Sequence, residues 1–231
     1  MGPRYFDAVH ERHLTPIELA SLRPHRRALL AHAKGRVLDL GGGCGDHFTS
    51  YPPAVEHVTV LGPDPKLRDG LLRQAAAATV AIELLDGVLP LDVADASFDT
   101  VVANFLLCTL TPFGAAAEEI GRLVGDEGLL LACEHVPGRG VRAAMANVLR
   151  PAWARLTPAC DARLDVVEAL RRHGLTVIDA DRFSMFTAAM PLQSCVALVA
   201  RKRRDPGSRR PSTAASARVD GEKGDEERMT P

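Results

Sequence analysis

Short apolar runs rich in β-branched residues recur along the first half of the chain and alternate with stretches of helical spacing. The runs cover residues 37–40, 57–61, 80–84, 100–104 and 129–134. Residues 66–78 are amphipathic, and a second helix is predicted to begin at Pro112, with Thr111 as its N-cap, and to continue to about residue 124. Because parallel strands need a crossover that covers the sheet, this alternation predicts a doubly wound α/β sheet.

The second half of the chain departs from this rhythm. Residues 137–150 and 161–173 have helical spacing, whereas residues 175–183 and 194–201 are two more strand-like runs. About ten residues join those two runs, too few for a helical crossover. The pattern therefore predicts a seven-stranded sheet that is mostly parallel and ends in a C-terminal antiparallel hairpin.

The two ends of the chain differ from the middle. In residues 1–34, apolar positions at helical spacing are interrupted by Pro16 and Pro24, which predicts a cap of short helices over the sheet domain of residues 35–201. Residues 202–231 begin with arginines and continue with charged and small residues. Such a segment cannot bury a core, so we expect a disordered tail.

Composition narrows the class of ligand. The 231 residues are 46% hydrophobic and 25% charged, with a formal net charge of −1, so nothing attracts the chain as a whole to nucleic acid or to an anionic membrane. No apolar run is long enough to span a bilayer, and the first residues lack a signal-peptide core, which predicts a cytoplasmic protein. Five cysteines without a Cys-x-x-Cys pair, and histidines that do not pair on one helix face, predict no metal.

Four glycines within five positions follow the first strand: Gly41, Gly42, Gly43 and Gly45. Glycine lets the chain turn sharply and lets a ligand approach the backbone. In an open α/β sheet, ligands bind at the carboxyl ends of the strands near the switch in strand order, where this turn lies. The alternative is a glycine-rich turn that binds nothing.

The glycine spacing discriminates between ligands. A dinucleotide fingerprint needs a third glycine where Asp46 stands, so a nicotinamide-dependent oxidoreductase is disfavoured. The pattern Asp39-x-Gly41-x-Gly43-x-Gly45, with Phe98-Asp99 leading into the fourth strand, resembles class I S-adenosylmethionine-dependent methyltransferases, which have a Rossmann-like fold. The Glu-His-Val of residues 134–136 and the Pro-Ala-Trp of residues 151–153 resemble the methyltransferase-like 7 group, whose members include thiol S-methyltransferases.

This resemblance implies S-adenosylmethionine as cofactor and assigns residues to its parts. The methionine part would lie at the glycine turn, and the ribose and adenine would lie beyond the second, third and fourth strands. The implied residues are Asp39, Gly41, Gly42, Gly43, Gly45, Gly62, Pro63, Asp64, Asp86, Gly87, Val88, Asn104 and Leu106.

Two positions depart from the family's pattern. Gly62 stands where an acid usually holds the ribose hydroxyls, and Asp86-Gly87 reverses the usual order near the adenine. Either Asp64 and Asp86 reach the cofactor from shifted positions, or binding is weaker by about 1.5 to 3 kcal/mol, roughly one to two orders of magnitude in affinity. A binding protein of this fold that has lost catalysis is therefore one alternative.

His135 is the candidate general base, because it follows the fifth strand at the carboxyl edge and an imidazole can accept a proton near neutral pH. The alternative is that Glu134 and His135 only hydrogen-bond to neighbouring loops. The acceptor is expected to be a hydrophobic small molecule with a thiol or hydroxyl, bound by irregular apolar segments, although these residues could instead be core. They are Tyr5, Phe6, Trp153, Phe183, Met185, Phe186 and Met190. The sequence has no base-flipping motif of a nucleic-acid methyltransferase and leaves the oligomeric state open.

Overall fold

A computed structural model describes residues 16–62, 65–138, 140, 143–144, 148, 164–185 and 193–203. Its seven strands are β1 (Gly35–Leu40), β2 (Val55–Leu61), β3 (Ala81–Leu85), β4 (Phe98–Asn104), β5 (Val124–His135), β6 (Leu175–Met185) and β7 (Gln193–Lys202). The helices of the described residues are α1 (Pro16–Leu30), α2 (Arg68–Ala77), α3 (Phe113–Leu123) and α4 (Val166–Arg172).

The strands form one sheet in the order β3-β2-β1-β4-β5-β7-β6. The first five strands are parallel, and β7 lies antiparallel between β5 and β6. This confirms the predicted doubly wound sheet with its C-terminal antiparallel hairpin. The strand order reverses between β1 and β4, so the ligand crevice of this fold lies at the carboxyl ends of these two strands.

Alternate residues of the strands supply two separate cores. Leu38 and Leu40 pack in a cluster with residues of α3 and α4 on one face of the sheet. Val37 packs on the opposite face with residues of α1 and α2, and we call this side the α1 face. Because side chains two residues apart in a strand lie on the same face, Asp39 lies on the α1 face with Val37.

The α1 helix continues through Pro24, so the predicted break at this residue is wrong. A proline inside a helix removes one backbone hydrogen bond, at a cost of about 3 kcal/mol. Leu22, Leu29 and Leu30 of the same helix are buried against the sheet. Packing of this apolar side outweighs the local cost.

The start of α3 is shifted by one residue from the prediction. Pro112 is the N-cap, with extended backbone at φ −76° and ψ 133°, and it is not the first helical residue. The fixed φ of proline suits an extended residue as well as a helical one, so the sequence alone could not separate the two positions. β5 begins directly after this helix at Val124, whereas the fifth strand was predicted to begin at residue 129.

The C-terminal helix α4 is confirmed as the end of the helical stretch predicted over residues 161–173. The Asp165 side chain accepts a hydrogen bond from the Glu168 N–H and caps its first turn. Most of the helix predicted at 137–150 and nearly all of the predicted tail lie outside the described residues. The division into cap, sheet domain and tail stays a prediction.

Candidate active site

The glycine turn after β1 combines tight packing with an open side. Gly41 has φ +89°, and a Cβ atom added there would meet nothing within 4 Å. Gly42 has φ +63°, and its Cβ would lie 2.5 Å from Cγ1 of Val60. Glycine is therefore required at residue 42 by packing, whereas at residue 41 it leaves backbone open to a ligand.

Asp39 lies directly before this turn and is 1% exposed. Its Oδ2 accepts hydrogen bonds from Nε2 of His47 at 2.6 Å and from the hydroxyl of Tyr51 at 2.9 Å. Its Oδ1 is buried and has no hydrogen-bond partner among the described residues. A buried carboxylate oxygen with capacity to accept is costly unless a donor reaches it, so Asp39 is suited to bind a cationic or donor group.

His47 holds this carboxylate and carries a positive charge. Burial alone would lower the pKa of His47. The charge of Asp39 and the hydrogen bond to it outweigh burial and raise the pKa to about 9. The imidazolium then donates to Asp39 through Nε2, and its Nδ1 lies 3.8 Å from Oδ1 of Asp46. Tyr51 stays a neutral donor because burial and the charge of Asp39 raise the pKa of its hydroxyl.

A second charged pair joins α1 to the same turn. Arg26 is 3% exposed, and its Nη1 donates to Oδ1 of Asp46 at 2.5 Å. Burial would raise the pKa of Asp46, but hydrogen bonds and charges of His47 and Arg26 hold it below its ordinary value. The two cations and two carboxylates of this buried network balance, which is the arrangement that makes buried charges tolerable.

Arg26, His47 and Tyr51 were not among the residues predicted for the site. Asp46 and His47 do follow the glycine turn directly, which was an available signal. Arg26 lies twenty residues before Asp46, and no local pattern connects the two.

Asn104 ends β4, the strand beside β1. Both its amide oxygen and its amide nitrogen are buried without a hydrogen-bond partner among the described residues. Asn104 has the same parity in β4 as Val102, so its side chain lies on the α1 face, as does that of Asp39. Two strand ends therefore present unpaired polar groups beside the open Gly41.

Glu134 is a structural anchor in the next strand, β5. It is fully buried, and its Oε1 accepts hydrogen bonds from the N–H groups of Leu106 and Leu107, both at 2.8 Å, while Oε2 accepts from Cys108 at 3.3 Å. Burial raises the pKa of Glu134 to about 7, against the opposing effect of these N–H groups. For Glu134, the alternative of hydrogen bonding to a neighbouring loop is confirmed.

His135 ends β5 and points to the α1 face. Its ring is 1% exposed, stacks on Phe105 with centroids 4.5 Å apart, and places Nδ1 3.9 Å from Sγ of Cys108. It lies at the carboxyl edge, where a general base was predicted, and it is shielded from water. Its catalytic role stays a prediction.

Comparisons with known proteins agree with this geometry. Residues 38–132 match the family described as a methyltransferase domain. Human thiol S-methyltransferase TMT1B is 27% identical over 161 residues, 64% of this chain and 66% of that protein. Demethylmenaquinone methyltransferase of Deinococcus radiodurans is 31% identical over 140 residues, 59% of this chain and 58% of that protein. Residues 38–132 of this chain are therefore similar to a methyltransferase domain.

Solved structures of methyltransferases show the same fold. The N-methyltransferase NodS of Bradyrhizobium japonicum, in complex with S-adenosylhomocysteine, superposes with a TM-score of 0.61 at 17% identity and covers 84% of this chain and 96% of its own. The 1,6-didemethyltoxoflavin N1-methyltransferase of Burkholderia thailandensis superposes with a TM-score of 0.59 at 21% identity. The match covers 88% of this chain and 92% of that protein. The chain spans less than two thirds of the length of the curated relatives named above.

The residues at the glycine turn fit the methionine part of S-adenosylmethionine. That part carries an ammonium, which needs acceptors, and a carboxylate, which needs donors. Oδ1 of Asp39 can only accept, whereas the Asn104 amide can do both, and Gly41 leaves the space open.

The loops predicted to hold the ribose and adenine depart from the family's pattern. The backbone at Gly62 has φ +62°, and a Cβ there would lie 2.8 Å from the carbonyl oxygen of Gly87. The two loops touch at these residues, which explains why no acidic side chain stands at residue 62. Pro63 and Asp64 lie outside the described residues.

Asp86, the other candidate for this end, is engaged elsewhere. Its Oδ1 accepts from Nη1 of Arg68 at 2.7 Å, at the start of α2, and both side chains are exposed. Val88 follows in the same loop and is also exposed. The roles predicted for Asp86, Gly87 and Val88 toward the cofactor stay predictions, and Leu106 contributes its N–H to Glu134.

Two of the apolar residues predicted to bind an acceptor are described. Met185 is fully buried in the core of the α1 face, and Phe183 stacks on His25 of α1 with centroids 3.9 Å apart. Both therefore have packing roles. Tyr5, Phe6, Trp153, Phe186 and Met190 lie outside the described residues.

Among the described residues, no group of three or more His, Cys, Asp or Glu side chains could hold a metal ion. None of the helices that the structure describes is both long and apolar enough to cross a membrane.

Proposed function

We propose that this protein transfers a methyl group from S-adenosylmethionine to the thiol or hydroxyl of a hydrophobic small molecule. The observation that carries the proposal is the pair of buried, unpartnered polar groups, Oδ1 of Asp39 and the Asn104 amide, beside the open backbone of Gly41. A turn that bound nothing would leave these groups unsatisfied at a cost of about 1 to 3 kcal/mol each.

The residues of the chain bind and orient rather than break bonds. S-adenosylmethionine, when bound, supplies a methyl group on a sulfonium, which a nucleophile can take by in-line displacement. Asp39 would accept a hydrogen bond from the ammonium of the cofactor, and His47 and Tyr51 hold that carboxylate in place. Alignment of the two reactants and exclusion of water are the main demands of such a displacement.

We propose a thiol as the acceptor group. Its ordinary pKa of about 8.5 leaves a few per cent thiolate at neutral pH, so little base assistance is needed. The similarity to a protein named thiol S-methyltransferase supports the same choice. We propose His135 as the residue that removes the proton from the acceptor.

The proposed partner is a hydrophobic small molecule and neither a nucleic acid nor a membrane. The formal net charge of −1 supports this, because it provides no general attraction to polyanions. The cytoplasmic location predicted from the sequence belongs to the same proposal.

The test is transfer of isotopically labelled methyl from S-adenosylmethionine to a panel of hydrophobic thiols and phenols. We expect label on at least one thiol. We expect His135→Gln to lower kcat for a thiol by about tenfold, because a few per cent of the thiol is already ionised at neutral pH, while the KM for S-adenosylmethionine is retained. Cofactor binding without label on any acceptor would favour a non-catalytic binding protein. An absorbance change of added nicotinamide cofactor would favour the oxidoreductase alternative.

A further inference from the structure

Gln193, the first residue of β7, carries a further buried polar atom without a hydrogen-bond partner among the described residues, and it lies away from the proposed cofactor site. Its side chain is 3% exposed, and its Nε2 donates to the carbonyl oxygen of Ser194 at 3.2 Å. That bond fixes the orientation of the amide. Its Oε1 is buried and has no hydrogen-bond partner among the described residues. Such an oxygen calls for a donor from outside the described chain.

The strand register places Gln193 at the carboxyl edge of the sheet. His135 pairs with Cys195 across β5 and β7, and Val136 donates to the carbonyl oxygen of Ser194. Gln193 precedes Cys195 by two residues in β7, so the two side chains have the same parity. Gln193 therefore lies on the α1 face, as does His135. Strand spacings put its Cα roughly 8 Å from that of His135.

The order of strands separates Gln193 from the cofactor end. Asp39 and Asn104 end β1 and β4, whereas β7 lies on the far side of β5. Across the α1 face, His135 therefore lies between the groups that fit the methionine part and Gln193. An acceptor that reaches His135 from the side of β7 passes Gln193.

The surroundings of Gln193 are apolar. Its register partner in β6 is Met185, which is fully buried. Phe183 and Cys195 form the next pair on the same face of β6 and β7. Cys195 belongs to the apolar cluster of the α1 face, and Phe183 packs against it. A ligand here would need an apolar body with a hydrogen-bond donor aimed at Gln193.

We propose that Gln193 is a specificity-determining residue for the methyl acceptor. Its Oε1 accepts a hydrogen bond from an O–H or N–H of the acceptor other than the group that receives the methyl. The substrate class becomes an apolar thiol that carries one such donor. This inference rests on the proposed function.

The test measures binding and does not depend on turnover. The probes are matched benzenethiols that carry a hydroxyl or a methoxy group at the ortho, meta or para position. Their Kd values are measured in the presence of saturating S-adenosylhomocysteine. We expect the wild type to bind the hydroxy member of at least one pair about tenfold more tightly, because the methoxy member leaves Oε1 unpaired.

Two substitutions of similar size separate hydrogen bonding from packing. Gln193→Met removes the acceptor oxygen and is expected to abolish the preference for the hydroxy member, with the Kd of S-adenosylhomocysteine unchanged. Gln193→Glu keeps acceptor oxygens and is expected to retain the preference. Thermal melts of all three proteins establish that they fold.

The outcomes separate the two proposals. Binding of S-adenosylhomocysteine without any hydroxy preference in the wild type would overturn the role of Gln193 alone, and so would a preference that survives Gln193→Met. If Gln193→Met does not fold, loss of the preference in Gln193→Glu would overturn the role, and its retention would support it. Failure of the wild type to bind S-adenosylhomocysteine would overturn the proposed function and this inference together.

Discussion

Asp39 serves both the stability of the site and its proposed chemistry. One carboxylate oxygen is held by His47 and Tyr51, and the other is left for a ligand. The first oxygen fixes the position of the second. A buried carboxylate held in this way needs little reorganisation when a cation binds.

The charge of His47 makes a pH-dependent contribution to stability. Its pKa in the folded protein, about 9, lies above the ordinary value of 6.5. Its contribution is therefore fully present below about pH 6.5 and is lost as the pH rises through 9. The linked change in the free energy of unfolding is about 3 kcal/mol.

His47→Gln keeps a donor but removes the charge. We expect it to lower the free energy of unfolding at pH 6.5 by about 3 kcal/mol, because Asp39 stays buried without its cation, and to flatten the decline between pH 6.5 and 9. Urea titrations across this pH range measure both effects. His57→Gln, at a half-exposed histidine of β2, is the control and should keep the decline. An equal decline in both variants would refute the assignment to His47.

At the scale of elements, α1 is attached to the glycine turn by the pair of Arg26 and Asp46. Leucines of α1 also pack the helix against the sheet. The ion pair is therefore one direct connection through which α1 can position the backbone of the turn.

Arg26→Met retains much of the apolar stem and removes the charge. We expect a loss of about 3 to 5 kcal/mol of stability, because Asp46 loses its buried partner, and a weaker affinity for S-adenosylhomocysteine. Arg27→Met, at the adjacent exposed residue of the same helix, is the matched control. Calorimetric titrations and thermal melts compare the two, and a similar effect of both substitutions would argue against a specific connection.

Glu134 joins β5 to the turn after β4 by accepting three backbone N–H groups. Glu134→Ala would leave those groups without their acceptor, and we expect a loss of about 2 to 5 kcal/mol in denaturant titrations. Because burial raises the pKa of Glu134 to about 7, its contribution to stability falls as the pH rises from 4.5 to 7.

Glu134→Gln tests this sign. It keeps an acceptor at the position of Oε1 and should remove the decline between pH 4.5 and 7, while Glu83→Gln on the exposed edge strand β3 should leave it intact. The raised pKa would be contradicted if the stability of the wild type increased between pH 4.5 and 7 and Glu134→Gln abolished that increase.

At the scale of the whole molecule, the sheet was predictable because buried strands, crossover helices and turns each leave a local pattern in the sequence. All seven predicted strands are present, and the glycine turn lies at the switch in strand order. The break at Pro24 was not predictable, because tertiary packing of α1 decides it. The Arg26–Asp46 pair and the contact of Gly62 with Gly87 join residues far apart in sequence, so local patterns could not show them.

The central claim is that the open side of the glycine turn binds the cofactor. Gly41 and Gly174 offer a matched pair of substitutions, since both have positive φ, +89° and +79°, and an added Cβ meets nothing within 4 Å at either. Alanine should therefore strain the backbone to a similar degree at both, by about 1 kcal/mol. Gly174 precedes β6 at the opposite edge of the sheet.

Calorimetric titration of S-adenosylhomocysteine into the wild type, Gly41→Ala and Gly174→Ala tests this claim most directly. We expect the wild type and Gly174→Ala to bind with similar Kd values, and Gly41→Ala to bind at least tenfold more weakly because its methyl group occupies the ligand's side of the turn. Absence of binding heat in the wild type, or equal affinity of the two alanine variants, would contradict the account.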